Sequence, residues 1–258
     1  MSSTMVNIAN LNVHFGSAHV LKDVSLNIAR GHTVGVVGES GSGKSTLAKA
    51  VVGTVPASSG EVWADGIDLS LASRRELRAY RRRIQMIPQD PFSSLSPRRT
   101  IAQTLTEAID PSRGRVSTHH DLIAYWLERV GLDADMMGRY PHEFSGGQRQ
   151  RIAIARGLII EPSFVIADEI TSALDVSVQA QVLEMLAEIT EALNLTMMFI
   201  SHNLAVVQRV SDEVVVLYRG VVVESGSVER IYSSPQHWYT RALLDADPGS
   251  PGFSLDLG

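Results

Sequence analysis

The segment Gly38–Ser45, Gly-Glu-Ser-Gly-Ser-Gly-Lys-Ser, matches the phosphate-loop pattern G-x-x-x-x-G-K-[ST] at every position. Its glycines let the backbone curl so that successive N–H groups point at phosphate oxygens, and the N-terminus of the helix that follows adds positive potential. We expect Lys44 to reach the β- and γ-phosphates of a nucleotide and Ser45 to offer its hydroxyl to Mg²⁺. The alternative is an ordinary Gly/Ser-rich turn before a helix, which the complete motif disfavours. The predicted nucleotide-binding residues here are Gly38, Gly41, Ser42, Gly43, Lys44, Ser45 and Thr46.

Two adjacent carboxylates, Asp168 and Glu169, end an apolar run that begins at Phe164. In a protein with a phosphate loop, an Asp at the end of a buried strand lies beside the Mg²⁺ shell. We therefore predict that Asp168 serves the metal, and that Glu169 orients or deprotonates an attacking water. Alone, such a pair is most often a solvated turn. The upstream phosphate loop favours the catalytic interpretation.

A second Gly-rich segment, Phe144–Gln148, reads Phe-Ser-Gly-Gly-Gln. Ser145 has the chemistry of a helix N-cap, and Gly146 and Gly147 allow close backbone approach at the mouth of the following helix. This predicts a second anion site, separate from the phosphate loop. One ATP needs only one phosphate loop, so this second anion site is not needed for the nucleotide bound by its own chain. We therefore expect it to complete the nucleotide site of a partner chain. A capped helix with a tight turn would be the favoured interpretation if the segment stood alone.

The elements that must position these segments follow an α/β pattern. Strands are predicted at Met5–Ile8, Val20–Ile28, Thr33–Val37, Glu61–Ala64, Phe164–Ala167, Thr196–Ile200, Val214–Tyr218 and Val221–Glu224, the last two flanking a hairpin turn at Arg219-Gly220. Helices are predicted at Lys44–Val52, Ser73–Arg83, Asp121–Val130 (ended by Gly131) and Val176–Ala192, with mostly helix from Ile101 to Ile160 and a Pro-punctuated loop at Pro88–Pro97. The pattern is an α/β core interrupted by a helical insertion.

Composition excludes several classes of protein. The 258 residues are 44% hydrophobic and 20% charged, which is ordinary globular composition. With 23 basic and 28 acidic side chains the net charge is −5, so no overall positive field attracts nucleic acid. The absence of cysteine excludes disulfides, thiol nucleophiles and Cys-ligated metal centres. No apolar run has the length of a membrane helix, and the first ten residues lack a signal-peptide core, so we expect a soluble, cytoplasmic chain.

The segment Phe144–Gln148 resembles the signature sequence L-S-G-G-Q of ABC-type ATPases, with Phe in place of Leu. The other motifs of that family occur in the expected order: Gln89 resembles the Q-loop glutamine, Asp175 lies in a segment similar to the D-loop, His202 resembles the switch histidine, and Phe15 resembles the aromatic residue that stacks on adenine. The resemblance covers roughly residues 5–240.

This resemblance implies an ATPase with ATP and Mg²⁺ as ligands. It implies Glu169, His202 and Gln89 as catalytic residues and Ser45, Gln89 and Asp168 as the residues that hold Mg²⁺. Nucleotide binding is implied for Phe15 and the phosphate loop, and also for Ser145, Gly146, Gly147, Gln148 and Asp175, which would act across a dimer.

A narrower resemblance is to the ATPase subunits of oligopeptide, dipeptide and nickel importers. It rests on Pro88–Arg98, Tyr140–Gln148, Thr171–Gln179 and, with Trp238 in place of the usual Pro, His237–Leu244. It implies a subunit that powers import through ATP-driven dimer closure. The implied partners are membrane-spanning subunits, a second ATPase subunit (a paralogue or a second copy) and, indirectly, an extracytoplasmic solute-binding protein, with no nucleic acid. The chain would lie at the cytoplasmic face of the inner membrane, with Phe92 as a candidate contact to the membrane subunits.

The expected fold class is α/β, a phosphate-loop nucleotide-binding core with an antiparallel β subdomain and an inserted α-helical subdomain. We expect one nucleotide-binding domain over residues 1–246, with its core at 1–88 and 161–230, the helical subdomain at 89–160 and a C-terminal extension at 231–246. Residues 247–258, rich in Pro, Gly and Ser, are expected to be a flexible tail.

Two alternatives remain open at this point. One is a soluble ABC-type ATPase of a non-transport complex, such as a phosphonate-degradation assembly, which shares much of this motif set. The other is a partner subunit that binds ATP but hydrolyses it poorly. The hint of the latter is Ile170, which stands where the family usually has Pro and predicts a less rigid loop after Glu169. The arginine-rich segment within Arg74–Arg83 is interpreted as a solvated helix face.

Overall fold

The computed structural model describes residues 4–112 and 114–246, without the side chains of Phe92 and Ser93. The expected flexible tail at 247–258 lies outside the described residues. The described chain separates into two units, one containing the residues up to Tyr80 and from Thr196 onward, the other running from Arg81 to Leu195. The finer division into core, helical subdomain and extension stays a prediction.

The strands, numbered in chain order, are β1 (Thr4–Phe15), β2 (Ala18–Ala29), β3 (Thr33–Val37), β4 (Ser59–Ala64), β5 (Ile67–Asp68), β6 (Ile84–Ile87), β7 (Phe164–Asp168), β8 (Thr196–Ser201), β9 (Glu213–Tyr218) and β10 (Val221–Ser227). All the predicted strands are present. The pattern missed the short strands β5 and β6 and underestimated the length of β1, which runs on to Phe15.

The helices are α1 (Lys44–Val51), α2 (Arg74–Arg83), α3 (Pro91–Ser94), α4 (Ile101–Ile109), α5 (Val116–Arg129), α6 (Gly146–Leu158), α7 (Val176–Leu193), α8 (Leu204–Val210), α9 (Val228–Ser233) and α10 (Trp238–Asp245), with 3₁₀ turns at Ala134–Gly138 and Pro141–Glu143. Gly131 has φ +73° just beyond α5, which confirms it as the stop of that helix. The loop Pro88–Pro97 contains the one-turn helix α3, which the pattern did not predict. Among the described residues, no helix combines the length and the apolar character that crossing a membrane requires.

The first unit contains an antiparallel sheet in the order β2-β1-β4-β5. Strands β1 and β2 form a long hairpin in which Phe15 pairs with Ala18 at the turn. One face is buried, because Val6 and Ile8 of β1 and Val24 and Ile28 of β2 are all at most 2% exposed. This sheet is the antiparallel β subdomain expected from the sequence.

A second sheet of the same unit has the order β10-β9-β3-β8, with β3 parallel to both β8 and β9. Every residue of β3 is buried, as expected for a central parallel strand. Strands β9 and β10 form the predicted hairpin, and Arg219 (φ +48°) and Gly220 (φ +83°) give both central residues the positive φ of a type I′ turn. Because Val37 pairs with Ser201 and with Val216, the carboxyl ends of β3, β8 and β9 lie at one edge of the sheet.

The second unit combines the parallel strands β6 and β7 with helices α3 to α7. Its core contains Trp126 of α5, which is fully buried, together with Phe164 and Ile154. Helix α6 lies close to β6, because a Cβ added to Gly157 would come within 2.8 Å of the Ile87 side chain. A larger residue at position 157 would force the Ile87 side chain to move. The fold class is the α/β phosphate-loop architecture with antiparallel β and helical parts that the sequence predicts.

Candidate functional site

The predicted phosphate loop joins the buried strand β3 to helix α1, as its motif requires. The Lys44 ammonium lies inside the curl, where Nζ donates to the carbonyl oxygens of Gly38 (2.7 Å) and Glu39 (2.9 Å). Lys44 is only 5% exposed, so its charge is held by these oxygens in a largely desolvated place. The loop thus presents a positioned positive charge.

Two glycines of the loop occupy positions that a larger residue would disturb. A Cβ on Gly38 would stand 2.1 Å from the Leu217 carbonyl oxygen of β9, and a Cβ on Gly43 would stand 2.7 Å from Leu21 Cδ2 of β2. Gly43 also has φ +109°, which side chains rarely adopt. The loop therefore packs closely against β2 and β9, and these two strands fix its shape.

The start of α1 carries no side-chain cap. Its N-cap residue is Gly43, which provides no side-chain cap hydrogen bond. The neighbouring Ser42 hydroxyl is buried and has no hydrogen-bond partner. Ser45 is exposed in the first turn of α1 and Thr46 is partly buried. An uncapped helix N-terminus, a buried ammonium and an unsatisfied hydroxyl together fit phosphate oxygens.

His202 lies at the same edge of the sheet as the phosphate loop. It follows Ser201, which pairs with Val37 immediately before Gly38, and it is exposed. The next residue, Asn203, caps α8 by accepting from the Val206 amide at 3.3 Å. His202 is therefore fixed between a strand and a capped helix, beside the strand that carries the loop.

Phe15 stands at the turn of the β1–β2 hairpin and is 53% exposed. The hairpin is tied to the phosphate loop, since the Lys22 amide donates to the Gly220 carbonyl (2.8 Å) and the Gly220 amide donates to the Ser42 carbonyl (2.9 Å). Phe15 thus presents an exposed aromatic ring on the β1–β2 hairpin, which contacts the phosphate loop. An exposed ring is what stacking on a base requires. The stacked rings of His14 and His19 lie on the same hairpin, a pair that the sequence analysis did not identify.

In the second unit, strand ends bring Gln89 and Glu169 together. Ile87 pairs with Ala167, so the residues that follow β6 and β7 lie at one edge. Gln89 Nε2 donates to Glu169 Oε2 at 3.1 Å and to Ser172 Oγ at 3.2 Å, and Ser172 Oγ donates to the Glu169 carbonyl at 2.9 Å. Glu169 has φ +49°, a left-handed conformation that is unusual for a residue with a side chain. The geometry holds this carboxylate in a defined place.

Ser172 is the residue of this cluster that sequence reasoning missed. It lies within the segment that resembles the D-loop, so that motif is the signal that could have identified it. Asp168, the other predicted carboxylate, is 8% exposed at the end of β7. Ile170 is 1% exposed, so its apolar side chain is buried immediately after Glu169.

Asp175 caps helix α7. Its carboxylate accepts from the Val178 amide at 2.9 Å and from the Ser177 hydroxyl at 2.7 Å. These hydrogen bonds, that of the Val178 amide first, lower the pKa of Asp175. The structure therefore shows Asp175 as the N-cap of α7. Its role across a dimer stays a prediction.

Ser145 is the N-cap of α6, as predicted. Its hydroxyl accepts from the Gln148 amide at 3.3 Å, and the Gln148 side chain accepts from the Ser145 amide at 2.9 Å, which completes a capping box. Gly146 and Gly147 differ in their surroundings. A Cβ on Gly147 would lie 2.5 Å from Val178 Cγ1, whereas one on Gly146 would meet nothing within 4 Å. The backbone is thus open to a ligand at Gly146 and packed at Gly147.

Within the part of the chain that the structure describes, no group of three or more His, Cys, Asp and Glu side chains is placed to hold a metal. A magnesium site would instead use a serine hydroxyl, a glutamine carbonyl and one carboxylate, with water. Ser45, Gln89 and Asp168 carry these donors, and Mg²⁺ usually takes only one or two carboxylates beside substrate phosphates. The donor chemistry therefore fits the ion.

Comparison with known proteins agrees with these observations. The family model of the ABC transporter matches residues 21–172. A putative peptide import ATP-binding protein of Brucella ovis is 51% identical over 89% of this chain and 73% of its own length. The oligopeptide transport ATP-binding protein OppF of Escherichia coli is 45% identical over 95% of this chain and 78% of its own. A dimeric ATP-binding cassette, MJ0796, in a post-hydrolysis state with ADP and Pi, has a TM-score of 0.77 at 28% identity and covers 87% of this chain and 99% of that one.

Proposed function

Since the chain belongs to the ABC transporter family and is one of its ATP-hydrolysing subunits, we propose that it powers an importer of peptides, nickel or a similar small solute. The observation that carries the ATPase assignment is the phosphate loop, with Lys44 buried in its curl and an uncapped helix behind it. Import rests on the relatives, whose names are those of peptide import and oligopeptide transport proteins. They favour this function over a soluble, non-transport complex.

ATP binding depends on the phosphate loop and on Phe15. Lys44 neutralises the β- and γ-phosphates while the first amides of α1 and the Ser42 hydroxyl donate to their oxygens. The exposed ring of Phe15 stacks on adenine, a contact that needs no hydrogen bond. Ser45, Gln89 and Asp168 would hold Mg²⁺, which would supply charge neutralisation at the β- and γ-phosphates.

Hydrolysis is in-line attack of water on the γ-phosphate. Glu169 orients the water and accepts its proton as the new P–O bond forms and the bond to the ADP oxygen breaks. Gln89 holds the carboxylate of Glu169 through Nε2, which leaves Oε1 as the atom of that amide suited to a metal. His202 contacts the γ-phosphate and fixes its position.

A second ATPase subunit, a copy or a paralogue, completes the site. In this proposal Ser145, Gly146 and Gly147 of the opposing chain approach the γ-phosphate, with Gln148 and Asp175 beside them. The open backbone at Gly146 supports this, and so does the dimeric state of the related cassette MJ0796. Closure of the dimer is passed through the segment Pro88–Pro97 to membrane-spanning subunits, and indirectly to an extracytoplasmic solute-binding protein. The chain would thereby be held at the cytoplasmic face of the inner membrane.

The catalytic assignment is tested by Glu169→Gln. We expect ATP affinity to persist while kcat falls by ~10²–10⁴, the usual contribution of a general base. Glu184→Gln is the matched control, because it removes an equal charge from an exposed position on α7 and should leave kcat unchanged. Equal turnover in the Glu169 variant and the wild type would remove Glu169 from the mechanism.

The transport assignment is tested by purifying the tagged chain from its own cells in mild detergent and identifying the proteins that accompany it. Polytopic membrane proteins together with a sibling ATPase are the expected result. A stable complex without any membrane protein would overturn import, and would favour the alternative of a soluble ABC-type ATPase in an assembly such as one for phosphonate degradation.

A further inference from the structure

The C-terminal helix α10 reaches the phosphate loop through one side chain. The backbone N–H of Glu39, the second residue of the loop, donates to the Tyr239 hydroxyl at 2.8 Å across 200 residues of sequence. Tyr239 is only 2% exposed. The family motifs of the nucleotide site do not account for this contact.

The contact is connected to the lysine that binds phosphate. Glu39 makes two hydrogen bonds that shape the loop, since its N–H donates to the Tyr239 hydroxyl and its carbonyl oxygen accepts from Lys44 Nζ at 2.9 Å. A shift of this residue would therefore move an acceptor that holds Lys44. Tyr239 is therefore linked to the Lys44 ammonium through the backbone of a single residue, Glu39.

Tyr239 is itself fixed. Its ring packs against Tyr218 at the end of β9, with centroids 4.3 Å apart. Burial raises the pKa of Tyr239 above its ordinary value, so the phenol stays neutral beside the loop at physiological pH. The hydroxyl is thus presented to Glu39 by a packed ring.

The beginning of α10 is anchored by a buried carboxylate. Glu224 of β10, 7% exposed, accepts from the Gln236 amide at 2.8 Å through Oε1 and from the His237 amide at 3.0 Å through Oε2. The segment before Tyr239 is therefore tied to the same sheet whose strand β3 leads into the loop. Sheet, C-terminal helix and loop form one hydrogen-bonded frame.

We propose that Tyr239 is a positioning residue for ATP binding, which holds Glu39 and thereby Lys44 in the arrangement that receives phosphates before the nucleotide arrives. The inference rests on the proposed function, in that the loop binds ATP. A loop ordered in advance loses less entropy on binding, so the benefit appears in affinity. Because the contact joins two protein groups and involves no atom of the nucleotide, we expect it to support the bound ground state and the transition state alike and to leave kcat unchanged.

The test is Tyr239→Phe in the full chain, which keeps the ring and removes the hydroxyl. We expect the Kd for ATP, measured by titration calorimetry, to rise about three- to tenfold, because the cost of reordering the released loop is at most the worth of the one hydrogen bond removed, with kcat within twofold of the wild type. Tyr218→Phe is the matched control, because it removes a hydroxyl from the same aromatic cluster without touching Glu39, and its Kd should not change. Glu224→Gln, which loosens the start of α10, should shift Kd in the same direction as Tyr239→Phe.

A second readout needs no nucleotide. Amide hydrogen exchange at Glu39 should be faster in Tyr239→Phe than in the wild type or in Tyr218→Phe, because the amide has lost its acceptor. Unchanged exchange at Glu39 together with an unchanged Kd would overturn the positioning role. Failure of the wild type to bind ATP would instead overturn the proposed function, while the exchange experiment would still decide the role of Tyr239.

Discussion

Helices α1 and α6 both begin at a segment rich in glycine and serine, yet their first turns are completed in different ways. Helix α6 has a full capping box, in which Ser145 and Gln148 satisfy each other's backbone amides. Helix α1 starts at Gly43 in the left-handed conformation and has no side-chain cap. One helix N-terminus is satisfied by its own sequence, whereas the other is built for an external acceptor such as phosphate.

The surroundings of the two segments reinforce this contrast. Gly38 and Gly43 are pressed against β9 and β2, whereas Gly146 faces open space. The first segment is a rigid cradle with a buried charge, and the second is an exposed helix end that a second molecule can approach. A Gly/Ser-rich helix start therefore does not define a function until the cap and the packing of each glycine are known.

The largest effect should come from Lys44→Ala, which removes the charge from the cradle. We expect the Kd for ATP to rise by about a hundredfold or more, because hydrogen bonds to charged groups are the strong ones and several are lost at once. Lys49→Ala, an exposed change on the same helix, should leave Kd unchanged. Equal Kd values for the two variants, measured by titration with ATP, would show that the cradle does not depend on its buried charge.

The two glycine environments should differ under the same substitution. Gly43→Ala places a methyl group 2.7 Å from Leu21 and forces a side chain into positive φ, so it should lower the free energy of unfolding by about 1–3 kcal/mol. Gly146→Ala meets nothing and should stay within about 0.5 kcal/mol of the wild type. Urea denaturation of both variants tests the contrast, and equal losses would contradict it.

The cap of α6 allows stability to be separated from anion binding. Ser145→Asp preserves a good cap, so the unfolding free energy should change by less than about 0.5 kcal/mol, but its charge should repel a phosphate and lower ATPase activity about tenfold. Ser145→Ala should instead cost about 0.5–2 kcal/mol of stability. If the Asp variant hydrolysed ATP at the wild-type rate, Ser145 would be a cap and nothing more.

The smallest effect concerns α7, whose cap is an exposed acid. Because the pKa of Asp175 is lowered in the folded chain, its contribution to stability is present above the ordinary aspartate pKa of about 4 and is lost as the pH falls through the lowered value. Asp175→Asn keeps a cap without a titrating group. Urea denaturation should therefore show a slightly shallower loss of stability below about pH 4 in the variant, and identical slopes would contradict the assignment.

Features set by local chemistry could be predicted from the sequence. The phosphate loop, the cap at Ser145, the stop at Gly131 and the turn at Arg219-Gly220 each depend on residues within a few positions of one another. Strand β6 was missed because Ile84–Ile87 is short and directly follows an arginine-rich helix. Without β6, the contact of Gln89 with Glu169 could not be predicted, although each residue could be assigned a role.

Features set by distant pairings could not be predicted. Nothing near Tyr239 in the sequence indicates that its hydroxyl meets an amide 200 residues earlier. The burial of Ile170 likewise depends on the packing of a complete unit and not on a local pattern. Local rules thus predicted the chemical groups, and tertiary packing determined which of them touch.

The ties that shape the phosphate loop have a consequence for the synthesis of the chain. The loop is translated well before the residues that shape it, since it packs against Leu217 and is hydrogen-bonded to Gly220 and Tyr239. Contacts of such separation form only after the intervening chain has been made and closed into a loop. The phosphate loop therefore becomes complete only when synthesis has passed Tyr239, so that a nascent chain acquires its nucleotide-binding shape late rather than when its motif emerges from the ribosome.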